Sequence, residues 1–153
     1  MTSNSIFMIV VGFDGSEHSN AALKWAVEEA HQRGGQLRLV TAWSNVPLSW
    51  YPAVLETAIG GIAVPQDSPE DIAQSLQAEA LKSVAAEGLA ATGNVVHNHS
   101  PASAILAAAQ DADLIVVGSR GHGGFSGLNL GSVSSQVIHH APCSVLVTRP
   151  NTR

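Results

Sequence analysis

The segment Gly118-Ser-Arg-Gly121-His-Gly-Gly-Phe-Ser-Gly127-Leu-Asn-Leu-Gly131-Ser132 carries the residue types most suited to chemistry in this chain. Glycines admit positive φ and let peptide N–H groups come close to a ligand. Gly131-Ser132 stands where a helix is predicted to begin. The unpaired N–H groups and dipole of a helix start favour an anion by roughly 0.3–1 kcal/mol per charge at an exposed site. The hydroxyls of Ser132, Ser134 and Ser135 add donors on the first turn, and Arg120 and His122 are the cationic side chains of the segment. Such a set suits a triphosphate. From glycine content alone, the same residues also read as a flexible surface connection. A second cluster, Gly12-Phe13-Asp14-Gly15-Ser16, offers one carboxylate. There Asp14 either fixes a turn, the common task of Asp in Asp-Gly-Ser, or faces a ligand.

Other chemistries find less support. There is no G-x-x-x-x-G-K-[ST], and the first cluster lacks G-x-G-x-x-G, so neither a P-loop nor an ordinary dinucleotide turn is expected. No G-x-S-x-G elbow is present, and no histidine has an evident charged orienter. His97 and His99 share one face of a predicted strand without an obvious third metal ligand. His139-His140 suit a helix C-terminus, where a cation is favourable. Cys143, beside Pro142, reads as a small core residue at a strand start. Trp43, Trp50 and Tyr51 suit either base stacking or an interface. ATP hydrolysis needs a positioned water and charge stabilisation, for which Asp14 and Arg120 are the available helpers, so turnover is expected to be slow at most.

Two buried apolar strands must deliver these clusters. Ile6 to Gly12 and Asp113 to Gly118 are short β-branched runs ending in Gly, as in a parallel sheet covered on both faces. A helical stripe runs from Glu17 to Arg33 and stops at Gly34-Gly35. Leu37 to Trp43 predicts a second strand. Residues 44–66, with Pro47, Pro52, Pro65 and Gly60-Gly61, predict an irregular variable loop. Asp67-Ser68-Pro69-Glu70 opens a helix expected to reach about Ala91, with a weak point at Gly88. Asn94 to His99 predicts a third strand, Ser100-Pro101 a helix through Gln110, Ser132 to His140 the last helix and Ser144 to Thr148 the last strand. This alternation predicts an α/β fold, an open parallel sheet with helices on both faces.

Composition narrows the partners. The chain of 153 residues fits one domain, 1–153, and 45% hydrophobic residues suffice for a core. Only 12% are charged, so part of the bland surface is expected to meet a second copy. With 7 Lys plus Arg and a net charge of −5, the basic footprint of a nucleic-acid binder is missing. No apolar stretch reaches the ~18 residues of a membrane span. Met1 to Val11 lacks a basic n-region, and a lone cysteine fits a reducing compartment, so a cytoplasmic protein without membrane association is expected.

The spacing Gly118-x2-Gly121-x9-Gly131-Ser132 resembles the nucleotide-binding signature of the universal stress protein family, in the branch that binds ATP. VVGFDGSEHSNAALKWA, SPASAILAAAQDADLIVVGSRG and APCSVLVTRP resemble its flanks, so the likeness covers nearly the whole chain outside Ser44 to about Gln66. Ser100, where a glycine is common, departs from the pattern. The resemblance implies a five-stranded sheet of order 3-2-1-4-5 with ATP, and Mg²⁺ where present, over the first and fourth strands. It assigns Asp14 to the ribose and metal-bearing phosphates, Ala42 to a backbone contact with adenine, and Val117 to the base pocket. Gly118, Gly121, Gly131, Ser132 and Val133 match ribose and phosphate contacts, and Gly12, Arg120 and Ser134 flank them. It further implies a homodimer through Val145, Leu146 and Val147 of the last strand. A slow ATPase, a cyclic AMP-binding module and a structural dimer that binds nothing remain open alternatives.

Overall fold

The computed structural model describes residues 5–44, 68–120 and 130–150; the predicted loop 44–66, beyond Ser44, lies outside them. Five strands pair in the order β3-β2-β1-β4-β5: β1 (Met8–Gly12), β2 (Gln36–Trp43), β3 (Ala91–His97), β4 (Leu114–Gly118) and β5 (Ser144–Thr148). Every ladder is parallel, with Met8 opposite Gln36, Val11 opposite Val116 and Gly118 opposite Thr148. The helices between them are α1 (Glu17–Arg33), α2 (Pro69–Ala86), α3 (Pro101–Ala108) and α4 (Ser132–His140).

Strand alternation splits the core into two. Ile9 and Val11 of β1, with Leu37, Leu39 and Val116, pack against Ala22, Ala26 and Ala30 of α1 and Val84 of α2. Val10, Val40, Ile115 and Val117 point the other way, onto Ala102 and Ile105 of α3 and Val137 of α4. Both central strands are therefore buried on each face, which explains their unbroken apolar runs. The chain crosses from β1 to β2 on one side and from β4 to β5 on the other. The adjacent carboxyl ends of β1 and β4 thus flank the point where strand order reverses, where open sheets leave a crevice.

Several boundaries differ from expectation, among them the helix expected through Gln110, which ends at Ala108. The strand expected at Ile6 begins at Met8. The helix expected to reach Ala91 ends at Ala86, because Gly88 takes φ +78 and the N–H groups of Gly88 and Leu89 turn back to Ala85 and Val84 carbonyls. The third strand starts at Ala91 and ends at His97, leaving His99 beyond it. An edge strand with Thr92, Gly93 and Asn94 exposed lacks the apolar run that marks β1, so its beginning was hidden.

That edge carries a buried amide. Gln77 of α2 donates through Nε2 to Leu39 O (3.2 Å), Thr41 Oγ1 (3.1 Å) and Asn94 O (2.9 Å), reaching both β2 and β3. A Cβ on Gly93 would collide with Gln77 Oε1 and stand 2.9 Å from Leu81 Cδ1, so glycine at 93 provides the slot for the amide.

Candidate functional site

At the exit of β1, the chain spends its polar groups on itself. Phe13 N–H donates to Val40 O (2.9 Å), the last rung towards β2. Asp14 Oδ1 accepts from Ser16 N–H (2.9 Å), and Gly15 follows at φ +81, a turn that favours glycine. Ser16 then caps α1, its side chain accepting from Ser19 N–H (3.2 Å), while Ser19 Oγ returns to Ser16 O (3.0 Å). The turn-forming role foreseen for Asp14 is realised.

The exit of β4 is built differently. Ser16, Ser68 and Ser100 cap α1, α2 and α3 with their side chains, but α4 starts at Gly131, which makes no side-chain cap bond. Its N–H donates to Ser119 O (2.7 Å), and its own carbonyl accepts from Ser135 N–H (3.0 Å). The N–H groups of Ser132, Val133 and Ser134 are those that an α-helix leaves without an intrahelical acceptor. Ser132 is exposed, and Val133 and Ser135 are half-buried. Ser134 departs from expectation: it is 2% exposed, and its hydroxyl turns inward to Ser119 O (3.0 Å) and Gly131 O (3.1 Å). Its backbone, not its hydroxyl, is what it offers at the helix start.

Two expected site glycines have packing reasons of their own. A Cβ on Gly118 would lie 2.7 Å from His18 Cβ and 2.8 Å from the His18 carbonyl carbon and oxygen, so glycine lets β4 touch the backbone of α1. A Cβ on Gly12 would meet Ile105 Cδ1 at 2.6 Å and Val117 Cγ1 at 3.3 Å. At Gly131 the nearest atoms, Ser119 O (3.2 Å) and Arg120 Cα (3.3 Å), are backbone. Val117 is buried in the core shared with Val10 and Val40, and Arg120 is half-buried directly after Ser119. Ala42 lies on the same sheet face as Val117. Even-numbered residues of β2 direct their backbone groups to β1, as the Gln36 and Val40 bonds show. Ala42, beyond the last rung, therefore presents N–H and C=O past the end of β1. Gly121 and His122 lie outside the described residues, as do Trp50 and Tyr51.

The structure thus brings Gly12, Asp14, Ala42, Val117, Gly118, Arg120, Gly131, Ser132, Val133 and Ser134 to one end of the sheet. It also reveals a contact absent from the sequence reading. Ser119 Oγ meets His18 Nδ1 at 3.1 Å, between residues 101 apart in the chain, and no local pattern signals such a pair. Elsewhere, Arg38 donates to Ala108 O (2.5 Å) and pairs with Asp111 (2.8 Å) at the C-terminal end of α3. The hydrogen bond from Arg38 holds the Asp111 carboxyl below the usual carboxylate range. Burial, helped by the Asp113 carboxylate, pushes the half-buried Cys143 thiol up. His97 stacks on Trp43 at 4.4 Å and neighbours His99 at 5.9 Å. No group of three or more potential metal ligands occurs among the described residues. Among them, too, no helix is long and apolar enough to cross a membrane.

Comparison with known proteins agrees with this architecture. The profile of the universal stress protein family matches residues 8–149. A universal stress protein of Mycobacterium tuberculosis is 36% identical over 143 residues, covering 92% of this chain and 45% of that protein. The chain therefore spans about half the length of the mycobacterial relatives it matches. A universal stress protein of Thermus aquaticus is 35% identical over 148 residues, covering 92% and 97% of the two chains. The fold is shared with universal stress protein UspA from Lactobacillus plantarum (TM-score 0.72, 23% identity, 95% of this chain and 100% of that one). It is shared also with a universal stress protein solved in complex with cAMP (TM-score 0.66, 24% identity, 97% and 100%). A third, from Archaeoglobus fulgidus in complex with dAMP, gives a TM-score of 0.64 at 22% identity over 94% and 97%. With the family profile spanning both strand exits and relatives above 30% identity covering most of its length, the chain belongs to the universal stress protein family.

Proposed function

We propose that this chain holds ATP across the exits of β1 and β4 and acts as a nucleotide-dependent regulatory module of the stress response. The observation that carries this reading is the start of α4, the one helix among those described without a side-chain cap, set at the switch point of the sheet. An anion there would meet the N–H groups of Ser132, Val133 and Ser134 with the helix dipole behind them. Arg120 would add positive charge, and Gly118, Gly121 and Gly131 close backbone approach. The backbone of Ala42 past β1 suits an adenine edge, with Val117 and Gly12 forming the floor beneath it. The cAMP and dAMP complexes of two proteins with this fold favour an adenine nucleotide and make cyclic AMP the competing ligand.

Asp14 is the carboxylate at the β1 exit. A single carboxylate fits Mg²⁺, which keeps several waters and is held largely by substrate phosphates. Bound there, the ion would neutralise phosphate charge. On this reading the module binds rather than turns over its ligand, and phosphate release is slow at most. The reading takes residues 1–153 as one nucleotide-binding unit, in the cytoplasm, where Cys143 stays a thiol. It pairs two copies through β5, whose Val145, Leu146 and Val147 are only partly buried on an open sheet edge.

The deciding experiment denatures freshly purified protein and identifies released nucleotide by mass spectrometry, then titrates ATP with Mg²⁺ and cyclic AMP calorimetrically. ATP binding is expected. Silence at millimolar ATP overturns the reading, and tighter cyclic AMP binding replaces it. Phosphate release that persists in a Gly131→Val, Ser132→Leu variant marks contamination rather than an ATPase. A monomer by light scattering at high micromolar concentration removes the dimer.

A further inference from the structure

Ser119 spends each of its hydrogen-bonding groups on a different neighbour. Its N–H donates to Thr148 O of β5 (2.8 Å). Its carbonyl accepts from Gly131 N–H (2.7 Å) and Ser134 Oγ (3.0 Å), which bolts it to the start of α4. Its hydroxyl meets His18 Nδ1 (3.1 Å) in the first turn of α1. The side chain has no freedom to do otherwise, since Ser119 is 2% exposed. His18 is equally placed by packing, because the missing Cβ of Gly118 lets its backbone lie against β4. The two helix starts that frame the crevice are thus spaced through one serine.

Resting on the nucleotide-binding reading, we infer that His18 is a positioning residue for the phosphate end of the ligand. Its hydrogen bond to Ser119 sets the first turn of α4 relative to the exit of β1. Either ring tautomer serves, as the hydroxyl can donate or accept. An asparagine at 18 would supply an oxygen and an N–H near the position of Nδ1, whereas alanine supplies neither.

The test uses the full chain. His18→Ala is expected to weaken ATP binding about three- to tenfold, the effect of one neutral hydrogen bond. His18→Asn is expected to recover binding to within about twofold of the parent. Ser119→Ala should match His18→Ala, and the double variant should be no weaker than either single one, since they remove the same bond. In nucleotide-free protein, the Gly131 amide, which donates to Ser119 O, should exchange its hydrogen faster in His18→Ala and at the parental rate in His18→Asn. Parental ATP affinity in His18→Ala, additive losses in the double variant, or equal losses in His18→Ala and His18→Asn would each overturn the inference. Should His18→Ala not fold, as judged by its thermal melt, Ser119→Ala and His18→Asn decide the same question. If the parent itself binds no nucleotide, the function proposed above falls, while an unchanged Gly131 exchange rate separately refutes the link through His18.

Discussion

The exits of β1 and β4 lie side by side, yet among the described residues the first is closed by side-chain caps and the second is open, its helix start making no side-chain cap bond. After β1, the Asp14 and Ser16 side chains accept from the N–H groups of Ser16 and Ser19, two and three residues further on. After β4, Gly131 supplies no cap, and the nearby hydroxyl of Ser134 is directed at carbonyls instead. A glycine at the cap position leaves a helix start less stable than a serine does by roughly a few tenths of a kcal/mol, against about 1 kcal/mol for alanine. Among the described residues three helices use serine for that purpose, and α4 is the exception that a bound anion would complete.

Substitutions can break this contrast in order of size. Gly118→Ala forces a methyl group into the backbone of His18 and should cost about 1–3 kcal/mol, read as a lower urea midpoint at unchanged slope. Gly131→Asp turns the open exit into a capped one, placing a carboxylate where phosphate would sit. Its ATP affinity should fall at least about tenfold, or ~1.4 kcal/mol, while its melting temperature stays within a few degrees; unchanged affinity would show that α4 does not face the ligand. Ser16→Ala opens the closed exit and should cost about 1 kcal/mol, with Ser16→Thr recovering most of it. Smallest is Asp111, remote from both exits and largely exposed. Its carboxyl is depressed in the folded state, so its pairing with Arg38 stabilises the fold above the unfolded carboxylate range and is lost as pH falls through the folded value. Asp111→Asn should be nearly silent at neutral pH and should flatten the acid limb of stability.

Local signals carried the sequence reading far. Ser16, Ser68-Pro69 and Ser100-Pro101 mark helix starts because caps act within three residues, and β1 and β4 are legible because burial on both faces leaves unbroken apolar runs. The sheet order matched what the resemblance implied. The start of β3 escaped because its exposed face and Gly93 mimic a turn. The reason for Gly93 lies in Gln77, which is distant in sequence. Likewise, Gly118 has a packing reason, the backbone of His18 against it, that its own neighbourhood in the sequence does not show. His18 and Ser119 were invisible as a pair, since nothing in either neighbourhood encodes a partner 101 residues away.

The Gln77 amide has a consequence for how the chain folds. β3 alternates weakly between apolar and polar faces, so burial alone specifies its pairing with β2 poorly. Gln77 reads carbonyls on both strands, and its oxygen fits only opposite Gly93. A shifted strand would therefore bring a side chain into the slot and strand the amide in an apolar contact. In the native fold, the seating of α2 and the register of β3 against β2 are therefore specified by one and the same side chain.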